Sequence, residues 1–213
     1  MQAYILLDRS GSMQSLWVEA LSSVNAFAKE LANKTDGSSV DSHITLAVFD
    51  SQDGLKFDTL RRKQPALHWE NVTDREASPR GMTPLLDAMV RIIALAEGDN
   101  PDKAVIVVMT DGQENASQEV KREGVKAALD RVKAKGWEVV FLGANFDNIS
   151  DAASVGVQAG QQMAMSAGTM GESMARLARK ARVYAESSPG GAPIVFDDID
   201  RAAAKEANIK NKS

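Results

Sequence analysis

The pentapeptide Asp8-Arg9-Ser10-Gly11-Ser12 follows directly on the apolar run Tyr4-Ile5-Leu6-Leu7. It sets a carboxylate and two hydroxyls at alternate positions just past a buried strand. In extended chain, positions i, i+2 and i+4 face the same way. Asp8, Ser10 and Ser12 could therefore converge on one point, with Gly11 letting the loop bend. Oxygen ligands without nitrogen or sulfur suit a hard cation such as Mg2+. Two more segments offer oxygen at comparable places. Gly81-Met82-Thr83-Pro84 precedes an amphipathic stretch, and Thr110-Asp111-Gly112 follows the apolar run Val105–Met109.

Each of these residues also has a plainer reading. Ser10 or Ser12 could satisfy free N–H groups of a turn leading into a helix. Thr83 before Pro84 has the form of an N-cap with proline at the first helical position. Asp111-Gly112 is a common turn. The case for a site rests on all five residues reaching one place.

The elements around them say whether they can. Short runs rich in β-branched residues read as buried parallel strands at Ala3–Leu7, Ile44–Phe49, Ala104–Met109 and Glu138–Leu142. Amphipathic segments read as helices at Leu16–Asn33, Pro84–Glu97, Ser117–Lys135 and Gly168–Glu186, with Gly136 placed to end the third. Asp50–Gly54 reads as a turn and Leu55–Leu60 as a returning strand, so one antiparallel edge strand is expected. Gln162–Met165 could add a last short strand. The expected architecture is α/β: a doubly wound, Rossmann-like, mostly parallel sheet with helices on both faces. In such sheets ligands bind beyond the carboxyl ends of the strands, where the winding reverses. All three oxygen-bearing loops reach that edge.

With those residues in place, the chain resembles a von Willebrand factor type A domain with a metal-ion-dependent adhesion site. That pattern is Asp-x-Ser-x-Ser in a first loop, a Thr in a second and an Asp in a third, matched here by Asp8, Ser10, Ser12, Thr83 and Asp111. The flanking Asp-Arg-Ser-Gly-Ser-Met, Gly-Met-Thr-Pro-Leu and Met-Thr-Asp-Gly are typical as well. The resemblance runs from Met1 to about Glu186 and is strongest to small, stand-alone bacterial and phage-encoded members. It implies a bound Mg2+ or Mn2+, with Asp8 and Asp111 often acting through water. It also implies a protein partner that offers a carboxylate to the metal.

Composition narrows the alternatives. The chain has 213 residues, 44% of them hydrophobic, and a net charge of −4. That balance gives no electrostatic case for nucleic acid or an anionic membrane. Cysteine is absent, which removes disulfides, thiolate metal sites and a cysteine nucleophile. Met1-Gln2-Ala3 has no basic region, the apolar run after it is too short for a signal peptide, and no stretch is long enough to span a bilayer. A cytoplasmic setting is expected, in a bacterium or in the host of a phage, with a place in a virion as the variant. His43 and His68 sit in no serine–carboxylate pattern.

The domain is expected over 1–186, with Ser187–Pro193 as a linker and Ile194–Ser213 as a tail holding a short helix after Asp197, Asp198 and Asp200. Composition favours a weakly ordered end; docking on a partner or on another copy is the alternative. Asp50 reads as a hairpin-turn aspartate or as one more acid near the site. Glu114 and Asn115 could line its rim, and Trp69 could anchor an interface or pack against the sheet edge. The expectation is a metal-dependent protein-interaction module acting in assembly or regulation of a larger complex, not an enzyme. The alternatives are a self-assembling structural subunit using the tail, and a metal-assisted hydrolase or phosphoryl-transfer enzyme with Arg9 or Arg80 over the metal.

Overall fold

The computed structural model describes residues 1–33, 41–144, 152–188, 191 and 193–210. Of the expected linker, 189, 190 and 192 lie outside the described residues, as do the last three residues of the tail. The strands are β1 (Gln2–Asp8), β2 (His43–Ser51), β3 (Leu55–Pro65), β4 (Ala104–Thr110), β5 (Glu138–Gly143) and β6 (Gln162–Ala164). They form a single sheet in the order β3-β2-β1-β4-β5-β6. Every neighbouring pair is parallel except β2–β3, the expected hairpin. The longer helices are α1 (Trp17–Leu31), α2 (Leu85–Asp99), α3 (Arg122–Ala134) and α4 (Met170–Glu186), followed by the short α5 (Asp198–Ala203) and α6 (Glu206–Lys210).

The strands read as continuous apolar runs because both of their faces are buried. On β1, Ala3, Ile5 and Leu7 enter one hydrophobic cluster and Tyr4 and Leu6 the other. The first cluster is closed by Trp17, Val24 and Phe27 of α1 and by Met174, Leu177 and Ala181 of α4. The second is closed by Leu85, Met89 and Ile92 of α2 and by Val125, Leu129 and Val132 of α3. Met163, Met165, Met170 and Met174 all lie in the first cluster, as filling between sheet and helices. Each such large side chain removed from water stabilises the fold by roughly 1.5–3 kcal/mol.

The winding places the site. From β1 the chain crosses one face through α1 to β2. From β3 it returns across the other face through α2 to β4, on the opposite side of β1. The reversal lies between β1 and β4, whose carboxyl ends carry Asp8 and Asp111. Leu7 pairs with Met109, so Asp8 stands level with Thr110 and Asp111 lies one residue beyond.

The helices differ from expectation at two starts. Gly11–Ser15 forms a 3-10 turn ahead of α1. α3 begins at Arg122 rather than Ser117, because the Asp87 carboxylate of α2 accepts the backbone N–H groups of Gln118, Glu119 and Val120 at 2.8–3.2 Å. These bonds, which come from another helix, hold Gln118, Glu119 and Val120 in a loop ahead of α3.

The tail is packed onto the domain. Ile194 and Phe196 are buried in the first cluster with Ala204. Phe196 N donates to Gly160 O at 2.7 Å, and Asp197 and Asp200 form a capping box on α5. Glu206 accepts Ala164 N of the edge strand at 3.0 Å and pairs with Arg201. Lys180 of α4 bonds both Asp197 and Asp200 at 2.9 Å. The composition of this segment conceals that its few apolar residues meet a prepared groove.

Candidate metal centre

The first loop builds the floor of the site. β1 ends at Asp8, whose carboxylate turns back to accept Ser10 N at 2.7 Å. This Asx-type turn brings the Ser10 hydroxyl over the strand end. Ser10 Oγ and Ser12 Oγ are then 3.0 Å apart, and Ser12 Oγ donates to Asp111 Oδ1 at 2.7 Å. From β4, Thr110 Oγ1 donates to Asp8 Oδ2 at 2.5 Å. The first and third loops are thus tied together through oxygen atoms.

Thr83 joins them from the second loop. A Cβ built on Gly112 would lie 2.5 Å from Thr83 Oγ1, 3.2 Å from Ser12 Oγ and 3.3 Å from Asp8 Oδ2. One point therefore has oxygen from the first and second loops around it and is bounded by the third at Gly112, where only glycine leaves room. Asp8, Ser10 and Thr83 are buried, Asp111 is half-buried and Ser12 is exposed. The cluster is a cup with a dry floor and an open mouth.

The plainer readings of two hydroxyls do not hold. Ser10 makes no side-chain capping bond to the 3-10 turn it precedes, and the cap position of α2 is Pro84, one residue past Thr83. Capping of α2 is supplied from the third loop: Glu114 accepts Leu86 N at 2.9 Å, and Ser117 Oγ accepts Asp87 N at 3.2 Å. Asn115 clamps Thr83 from both sides, accepting its N–H at 2.9 Å and donating to its carbonyl at 3.2 Å. Glu114 and Asn115 therefore position the second loop, in place of the rim role the sequence suggested. Thr110 and Gly112 matter to the cup although the sequence singled out only Asp111 between them. A hydroxyl closing the otherwise apolar β4 was the available signal for Thr110.

One other expectation changes, at Asp50, and at Trp69 the packing alternative is the one observed. Asp50 is neither an open turn residue nor an acid in the cup. It is fully buried in an ion pair with Arg9, and Arg80 also bonds it. Trp69 is held inward, its Nε1 donating to Asn25 Oδ1 at 2.9 Å while its ring packs on the first cluster.

The electrostatics of the cup are those of a buried anion. Burial pushes the Asp8 carboxyl up to about 6, against the bonds from Thr110 and Ser10 that hold it down. Burial also raises the Asp111 carboxyl, and the Ser12 hydroxyl opposes it. No Lys, Arg or His pairs with Asp8 among the described residues; its partners are a hydroxyl and a backbone N–H. A buried carboxylate is costly unless a positive charge faces it. The donor set fits a hard divalent ion. Among the described residues no three His, Cys, Asp or Glu side chains gather as a metal site, so such a site depends on Ser10, Ser12 and Thr83 as well as the two acids.

Comparison with known proteins follows the same line. Solved structures share the fold. Proximal thread matrix protein 1 from the mussel byssus is 20% identical, with a TM-score of 0.55 over 84% of this chain and 46% of that one. The same protein with a zinc-occupied MIDAS motif is 17% identical, with a TM-score of 0.52 over the same shares. The manganese-loaded TRAP protein of Plasmodium vivax is 16% identical, with a TM-score of 0.51 over 78% of this chain and 68% of that one. The chain thus spans about half the length of the mussel protein. No curated protein matches. The sequence model of the von Willebrand factor type A domain matches residues 4–173, and the chain belongs to that family.

Proposed function

We propose that this protein is a metal-dependent protein-interaction module. Asp8, Ser10, Ser12, Thr83 and Asp111 would hold one divalent cation, Mg2+ or Mn2+. The observation that carries this reading is the Asp8 carboxylate: fully buried, bonded by Ser10 and by the Thr110 hydroxyl, and paired with no positive side chain among the described residues. The manganese and zinc named for two structures of the same fold support a divalent ion here. When bound, the ion supplies residual positive charge at the mouth, because neutral hydroxyls do not cancel it. This chain's residues seal the ion from below and leave the exposed Ser12 side open. An Asp or Glu of a partner protein is the ligand suited to that opening, in assembly or regulation of a larger complex.

The competing readings lose their main features. An enzyme would need a basic group free to work over the metal, and Arg9 and Arg80 are both engaged by Asp50. A self-assembling subunit would use the tail, but Ile194, Phe196 and Ala204 are buried against the protein's own core.

Calorimetric titration with Mg2+ and Mn2+ tests the site. Binding in the native chain that Asp8→Ala abolishes is expected; binding that survives Asp8→Ala sinks the assignment. Capture of partners from the native host, with and without chelator, tests the function. Partners unaffected by chelator or by Asp8→Ala would show that the metal is not the recognition device.

A further inference from the structure

Building on the cation-site reading, we infer that Arg80 is a positioning residue for that site: its ion pair with Asp50 fixes the second loop, and with it Thr83, against the first. Asp50 ends β2 beside the cup and is wholly out of solvent. Its Oδ2 accepts both Arg9 Nε and Arg80 Nε, the latter at 3.2 Å, while among the described residues Oδ1 has no partner. The outer nitrogen of Arg9 reaches Asp58 on β3 at 2.5 Å. Two cations and two anions thus balance within one cluster.

The placement of the arginines gives the cluster its consequence. Arg9 lies between Asp8 and Ser10, and Arg80 lies three residues before Thr83. Both converge on one carboxylate oxygen, so Asp50 joins the two loops by side chains. The backbone repeats the link: Arg80 N donates to Arg9 O at 2.7 Å and Gly11 N to Gly81 O at 3.1 Å. Ser51 and Met82 exchange bonds at 3.0 and 3.2 Å, holding the second loop to the end of β2. Of the two arginines only Arg80 is substantially exposed, at 42% against 5% for Arg9. Arg80 can therefore be removed while Arg9, Asp50 and Asp58 stay paired.

Charge and position predict opposite signs for that removal. Arg80 is a cation near a cation site, so by Coulomb repulsion alone its loss tightens metal binding. If Arg80 positions the second loop, its loss weakens binding. The experiment is Mn2+ titration of the full chain by calorimetry, for the native protein and for Arg80→Ala, Arg80→Lys and Thr83→Ala, each with its unfolding curve in chelator. We expect Arg80→Ala to weaken Mn2+ binding about fivefold, the scale of a partly exposed ion pair. Arg80→Lys, which keeps the charge and can still reach Asp50, should restore affinity to within about twofold. The chelator unfolding curves of the two Arg80 variants should overlay. Equal or tighter binding in Arg80→Ala overturns the inference. If the native chain binds no Mn2+, or if Thr83→Ala binds as well as the native chain, the cation-site reading itself falls and this inference falls with it.

Discussion

Replacing Asp8 by Asn should stabilise the metal-free protein while removing its response to metal. The Asp8 carboxylate is fully buried, and burial lifts its carboxyl from 3.8 to about 6. That difference corresponds to about 3 kcal/mol for holding the anion in the folded state. The folded value lies above the unfolded one, so between the two the native state binds the extra proton. Metal-free stability from this group is therefore greatest below 3.8, declines as pH rises to about 6, and stays low above that. Asn carries no charge to desolvate, and the hydrogen bonds can rearrange to suit it. Its Oδ1 can accept Ser10 N, now 2.7 Å from the carboxylate, and its amide can donate to Thr110 Oγ1. The Thr110 hydroxyl then turns to Gly112 O, 3.2 Å away. Allowing for imperfect repacking, the variant should be more stable than the native chain by about 1–3 kcal/mol in chelator at about pH 7.5. The gain should vanish below the unfolded value of 3.8. The assay is urea unfolding followed by tryptophan fluorescence, first in chelator and then in Mg2+. In the native chain, Mg2+ at about a hundred times its Kd adds about 2.7 kcal/mol; in Asp8→Asn it adds nothing. A variant less stable than the native chain in chelator at that pH would refute the reasoning, as would one whose midpoint still rises with Mg2+.

Gly112→Ala should reduce Mg2+ affinity by more than about tenfold, because its Cβ would lie 2.5 Å from Thr83 Oγ1; calorimetry giving an unchanged Kd counts against the cup geometry. Phe196→Ala should destabilise the protein by about 3 kcal/mol in thermal unfolding, since the ring is buried in the first cluster, and should leave Mg2+ affinity unchanged. Arg62 first, then Lys63 and Tyr4, hold the Asp99 carboxyl well below the usual range. Stability from Asp99 is present above the unfolded value of 3.8 and is lost as pH falls below it, so acid unfolding should be less steep in Asp99→Asn than in the native chain.

The parts of the fold legible in the sequence are those fixed locally. β1, β4 and β5 announce themselves because a strand buried on both faces must be apolar at successive positions, as Ala3–Leu7 and Ala104–Met109 are. The five oxygen-bearing residues announce themselves because loop spacing and strand ends are local too. What escaped depends on side chains arriving from elsewhere. The start of α3 moved by five residues because Asp87, more than thirty residues away, captured its first N–H groups. Glu114 and Asn115 look like rim residues in sequence because nothing local says that the N-terminus of α2 and Thr83 will need them. Asp50 looks like a turn residue until Arg9 and Arg80 are brought over it by two separate loops. Ile194 and Phe196 sit in the segment read as a weakly ordered tail, and only their packing into the first cluster beside α4 makes them core.

These non-local contacts also explain how the cup can exist before any ion enters it. Thr83 is held by Asn115, Ser12 by Asp111, and Asp8 by Thr110 and Ser10, all through bonds internal to the chain. The oxygens are therefore held together by the fold, against the burial that raises the Asp8 carboxyl. A cation relieves that cost without having to organise the loops. On the cation-site reading, metal affinity draws on that burial cost, and removing the metal is expected to leave the loops in place. Partner binding and metal can thus be separated from folding: chelator should abolish the first while the sheet and both hydrophobic clusters persist. Only a site whose floor is sealed by the protein, and whose mouth is left to Ser12 and Asp111, divides the work in this way.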